Sequence, residues 1–149
     1  RFSKDKSPYK TNFGGSIAPG GMDSGHPGYY VHIEPGNCFI AGGLHMPESK
    51  VLGRIRDAIA HDDKKLRSIL KAAAFKKQFG SLSDYDMLKT VPRGYDKDHP
   101  AADLLRFKSY LGIRNVPDKL VTSKNFKKEV VAASKALKPL NEYLAKVTK

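Results

Sequence analysis

Between residues 28 and 34, apolar and polar side chains alternate, with Tyr29, Val31 and Ile33 on one side and Tyr30, His32 and Glu34 on the other. A period of two predicts a half-buried strand with one apolar face. Pro35-Gly36-Asn37 supplies turn chemistry and residues 38–45 return as the partner strand, so a central β-hairpin covers roughly residues 28–46. Gly42-Gly43 inside the second strand predicts a bulge or a close approach to the backbone. An earlier strand is expected over residues 9–17. It is separated from the hairpin by residues 18–27, whose Gly, Pro and Ser suit neither helix nor ladder.

The periodicity then changes to that of helices. A helix starting at Pro47-Glu48 puts Val51, Leu52, Ile55, Ala58 and Ile59 on one stripe. Asp62 is placed to cap a second helix bearing Leu66, Ile69, Leu70 and Ala73. Residues 80–91 are expected as a loop with Leu82, Tyr85, Met87 and Leu88 pinned to the core. Asp98 or His99 caps a helix from Pro100 that runs through Leu104, Leu105 and Phe107. Residues 110–116 predict a strand stopped by Pro117. The last helix starts near Ser123 and carries Phe126, Val130, Ala133, Leu137, Leu140, Leu144 and Val147, with Pro139 expected to kink or divide it. Strands first and helices later argue an α+β fold: a small antiparallel or mixed sheet with helices packed on one face.

At 149 residues, 40% of them hydrophobic, the chain is expected to form a single domain over residues 1–149 and not a disordered one. No apolar run approaches the roughly 18–20 residues of a membrane-spanning helix, so a soluble protein with no membrane partner is expected. Cys38, the single cysteine, lies in an apolar strand. It reads as a buried spectator rather than a reactive thiol, and a reducing cytoplasm fits. The net charge of +12 is uneven: Lys/Arg and Asp/Glu balance over residues 1–49, and the whole excess lies in 50–149. Most of that excess is Lys on predicted helices with few aromatics between. Nucleic acid is therefore an alternative partner, or the surface a scaffold, but a solvated basic surface is the favoured reading. Phosphate-loop, dinucleotide-binding, nucleophile-elbow and paired-cysteine motifs are all missing, so neither a cofactor nor a reaction can be named.

Candidate chemistry gathers in three places. His32 and Glu34 share a strand face with Tyr30, as a general base and its orienting carboxylate would; otherwise that face is simply the solvated side of a hairpin. His26 and His45 lie near the hairpin ends, but no zinc-ligand spacing is matched and no metal is expected. Residues 93–99 collect Arg93, Tyr95, Asp96, Lys97, Asp98 and His99 where a loop turns into a helix. There Asp98 and Asp103 are read as structural, with Arg93 or Lys97 pairing with Asp96. Arg93, Tyr95 and His99 are read as facing an anion near a helix N-terminus. Arg1, Asp5, Lys6 and Tyr9 precede the first strand, where Lys6 and Tyr9 could clamp a phosphate or carboxylate. Together these predict a small anionic ligand, bound in a polar cleft between the hairpin and the 93–99 loop. His32, Glu34 and His99 are the catalytic candidates if the protein is an enzyme.

Arg1-Phe2-Ser3-Lys4-Asp5-Lys6-Ser7-Pro8-Tyr9 resembles the signature of the bacterial domain of unknown function 2461 family: Arg-Phe, a spacer, Asp/Asn-Lys, then Tyr. The hairpin stretch GYYVHIEPGNCFIAGGLHMP, the junction PRGYDKDHPAADLLR and Lys138-Pro139-Leu140-Asn141 are similar to that family too. The resemblance covers essentially the whole chain. It implies an α+β fold and a bacterial origin, and it supplies no activity. Family members are longer at the N-terminus. Helices are therefore expected to precede Arg1, and without them one sheet face would be less covered.

Overall fold

A computed structural model describes residues 9–149. Among these, strands β1 (Phe13–Ile17), β2 (Gly28–Ile33), β3 (Cys38–Leu44) and β4 (Tyr110–Val116) form one antiparallel sheet in the order β1-β2-β3-β4. Six helices accompany it: α1 (Ser49–His61), α2 (Lys64–Lys71), α3 (Ala73–Phe79), α4 (Ala102–Leu105), α5 (Asp118–Val121) and α6 (Phe126–Val147). The fold is α+β, as the order of strand-like and helix-like segments predicts.

Strand register divides the sheet into two faces. Tyr29 pairs with Gly42 and Gly42 with Gly112, so these project together with Ile40, Leu44, Tyr110 and Val116. Helix α6 crosses this face. A Cβ on Gly42 would stand 2.6 Å from Leu137 Cδ1, and one on Gly112 would stand 3.0 Å from Leu137 Cδ2. Leu137, fully buried, therefore occupies a hollow that the glycine pair creates. Asn141, one turn further on, donates from Nδ2 to the Gly28 carbonyl at 3.1 Å and ties α6 to the start of β2. The main core spreads outward from Leu44 and Tyr110 through Ile55, Ile59, Leu66, Phe75, Leu105 and Leu144. A smaller cluster of Cys38, Ile40, Val116 and Ala133 closes the far end.

The opposite face carries Tyr30 beside Ala41 and Ile113, and His32 beside Phe39. No described helix packs on it.

Several elements depart from the sequence expectation. The predicted second helix is two helices: Ala72, at φ −57 and ψ 137, breaks it, and the turn buries Phe75 with its ring 5.4 Å from Phe79. The helix expected to continue to Phe107 ends at Leu105. Pro139 does not divide α6, which is one helix of 22 residues with the proline on its exposed side. Short α5 was not anticipated. The Gly42-Gly43 pair makes no bulge, because the register runs through it unbroken. The close approach is instead the sheet's own backbone: at Gly43, φ 123, a Cβ would collide with the Tyr110 carbonyl oxygen.

Candidate functional site

The uncovered sheet face is the floor of a cavity of about 610 Å³. Tyr30, Phe39, Ala41, Gly43, Leu111 and Ile113 form that floor. Tyr30 and Phe39 contribute tilted rings with centroids 5.8 Å apart. Ser16, Ala18, Met22, Gly25 and His26, from β1 and the loop after it, make one wall; His45 and Tyr85 make the other. His26 precedes Gly28 and His45 follows Gly43, and Gly28 pairs with Gly43, so both imidazoles belong to one end of the groove. Among the described residues, no Asp, Glu, Lys or Arg lines it. The site thus offers ring faces, a mostly apolar floor, and hydrogen-bonding rings at one pole.

Local structure fixes that pole. His45 Nε2 and Tyr85 Oη lie 2.5 Å apart with their rings stacked at 6.0 Å. Tyr85 is held there by its loop, where the Ser83 amide donates to the Leu111 carbonyl at 2.8 Å along the outer edge of β4. On the other strand, Met46 takes the left-handed backbone (φ 42), a strained choice for a side-chain-bearing residue. Its amide donates to Ser109 Oγ at 2.9 Å, and that hydroxyl donates to Asp86 Oδ2 at 2.9 Å. Asp86 and Ser109 thereby brace the turn that presents His45.

Toward the other end of the same face runs a chain of side chains. Tyr30 Oη lies 3.1 Å from His32 Nδ1, and His32 Nε2 lies 3.0 Å from Glu34 Oε2. Asn37 Nδ2 donates to the same Glu34 oxygen at 2.9 Å, from the hairpin turn. These bonds, led by that of His32, hold the Glu34 carboxyl below its ordinary value. The His32 ring stacks on Phe39 at 4.7 Å and 16°.

The 93–99 loop is elsewhere. Tyr95 packs against the main core with Leu44 and Tyr110, on the helix side of the sheet, and donates from Oη to Asp57 of α1 at 2.6 Å. Burial and this bond push its phenol up to about 12. His99 accepts the Ala101 amide at Nδ1 (3.0 Å) and caps the turn into α4. Asp98 does not cap; its amide donates to Asp96 Oδ1 at 2.9 Å, and no described ion pair joins Asp96 to Arg93 or Lys97. Asp103 is structural as expected, gripped by Arg67, which also holds Asp63 and the Pro100 carbonyl. The expected common cleft does not form: Tyr30, His32 and Glu34 lie on the open face, while Tyr95 and His99 stand with the helices behind the sheet. The physical reason is strand parity, which turns His32 away from the face that α6 covers. Arg93 is exposed and lines neither wall of the groove. Tyr9 is exposed ahead of β1, and Arg1, Asp5 and Lys6 fall outside the described residues.

Sequence reasoning missed Phe39, Tyr85 and the pairing of Tyr85 with His45. Tyr85 was expected in the core but is 55% exposed. The available signal was the empty side of a hairpin whose apolar face already met the helices. Among the described residues no group of three or more His, Cys, Asp or Glu could hold a metal ion, and no helix is long and apolar enough to cross a membrane.

Fold and groove together define an α+β domain in which, among the described residues, helices cover one sheet face and none covers the other. A family model matches residues 1–143, and the chain belongs to that family, described as conserved hypothetical protein (DUF2461). No curated protein and no solved structure matches the chain.

Proposed function

We propose that the protein binds a small molecule in the open-face groove: a planar, largely apolar body bearing an anionic or hydrogen-bond-accepting head. The observation that carries this reading is the groove itself, about 610 Å³ with two aromatic rings in its floor and His26, His45 and Tyr85 at one end. That volume suits a ligand of drug-like size, and a few polar groups converging on an apolar pocket are the usual means of fixing orientation. The head meets imidazole and phenol donors with no carboxylate among the described lining residues to repel it, and the net charge of +12 favours an anion at long range. This keeps the anionic ligand and the hairpin's Tyr30 face from the sequence reading, and replaces the 93–99 loop as the other wall with residues 16–26, His45 and Tyr85.

A thermal-shift screen with aromatic carboxylates and aryl phosphates tests the reading, because a ligand of the native state raises apparent stability by mass action. Binding should raise Tm in the parent protein, and Ala41→Phe, which fills the floor, should abolish the rise. Shifts that survive Ala41→Phe, or none with any member of the panel, would overturn it.

A further inference from the structure

We propose that Tyr30, His32 and Glu34 form a proton-transfer chain, with Tyr30 as a catalytic residue that removes a proton from the groove's ligand. An ionised carboxylate only accepts hydrogen bonds, so Glu34 requires the proton of the neutral imidazole to sit on Nε2. Nδ1 is then the free lone pair, and it faces the Tyr30 hydroxyl at 3.1 Å. The order of roles is acid, imidazole, hydroxyl, the logic of a nucleophile or base activated by an oriented histidine.

Each member is held by something independent of the others. Asn37, in the hairpin turn, fixes the Glu34 carboxylate. Phe39 stacks on the imidazole, and its ring face also favours the imidazolium that forms when the chain carries a proton. The Tyr30 ring is part of the groove's floor, while its hydroxyl lies over exposed Gly14, where any Cβ would collide with it. Ser16 and Tyr30 both line the groove, so the ligand's far end is placed at that hydroxyl.

In the step, a C–H or O–H proton at the ligand end remote from His26 and His45 passes to Tyr30 Oη. The phenol's own proton passes to His32 Nδ1. The ligand becomes an anion, the imidazole an imidazolium between Tyr30 and Glu34, and nothing is oxidised or reduced. The inference rests on the groove reading for the substrate's position, but its test does not use a groove ligand.

The test is labelling with an aryl sulfonyl fluoride, read by peptide mass spectrometry. The Tyr30 oxygen forms a bond to sulfur, the S–F bond breaks, fluoride leaves and the phenol proton goes to His32. Tyr30 should label, and His32→Gln and Glu34→Gln should each slow it by about tenfold or more while leaving Tyr85 at its parent rate. Tyr85 is the internal control because it pairs with His45, an imidazole to which no described carboxylate is ion-paired. In the unaltered protein, ¹⁵N shifts should show His32 protonated at Nε2. No labelling of Tyr30, labelling of Tyr30 at the parent rate in both variants, or a His32 protonated only at Nδ1 would overturn the proposal. Labelling that behaves as expected beside failed ligand binding would overturn the groove reading alone.

Discussion

Leu137 and the glycine pair beneath it should show a coupling that depends on which glycine is filled. Leu137→Ala empties a fully buried site and should cost about 3 kcal/mol, within the usual range for such truncations. Gly112→Ala overpacks the same site, because the new Cβ stands 3.0 Å from Leu137 Cδ2 and 3.0 Å from Phe79 Cγ; overpacking of this kind costs about 1–3 kcal/mol. Both obstacles are side-chain atoms, and Leu137→Ala removes one of them. The double variant should therefore be more stable than the summed costs predict, by about 1 kcal/mol or more. Gly42→Ala behaves differently. Its Cβ meets Leu137 Cδ1 at 2.6 Å but also the Gly28 backbone oxygen at 2.9 Å, and the clash that trimming Leu137 leaves is with sheet backbone, which gives less readily than the Phe79 side chain left beside Gly112. Its coupling with Leu137→Ala should be clearly smaller. Urea unfolding followed by far-UV circular dichroism measures all five variants, with constant m-values required for comparison. Additivity within about 0.5 kcal/mol in the Gly112 cycle, or equal coupling in both cycles, would refute the packing described for α6.

Further expectations follow from groups on the helix side. Tyr95 has its phenol raised to about 12 by burial and by Asp57, so the neutral form is favoured in the fold. The stability it adds is fully present below its ordinary value of 10.0 and is lost as pH climbs through about 12; Asp57→Asn should lower the ultraviolet titration midpoint of Tyr95. Asp103 is held below its ordinary value by the Arg67 bond, which adds stability above an unfolded value of 3.8 that is lost as pH falls through the lower folded one. Arg67→Met should remove that part of the acid limb. With both partners partly exposed, the Arg67–Asp103 pair itself contributes about 1 kcal/mol or less at neutral pH, read by chemical denaturation of Asp103→Asn.

The hairpin, β4, α1 and α6 were legible because their patterns are local: alternation at Tyr29–Val31–Ile33, and a helical stripe from Val130 to Leu144. The break at Ala72 was not, since three consecutive alanines continue a helix as readily as they end one, and only the burial of Phe75 decides. The density of charge at 93–99 was read as a site because a turn-capping cluster and a ligand-binding one use the same residue types. Here His99 serves the Ala101 amide and Asp96 serves the Asp98 amide, so these polar groups are spent on the backbone. The His32–Glu34 relation followed from strand parity alone. Tyr85 joining His45 did not, because it depends on a loop 40 residues away settling against β4.

The central claim is that the open sheet face is where this protein meets its ligand. Amide chemical-shift mapping with the aromatic carboxylate giving the largest thermal shift tests it directly. Perturbations should concentrate at Gly28, Ala41, Gly43, His45, Leu111 and Ile113, leaving Tyr95 to Ala101 unmoved. Perturbations confined to Tyr95–Ala101 or to the lysine-bearing helices would contradict it.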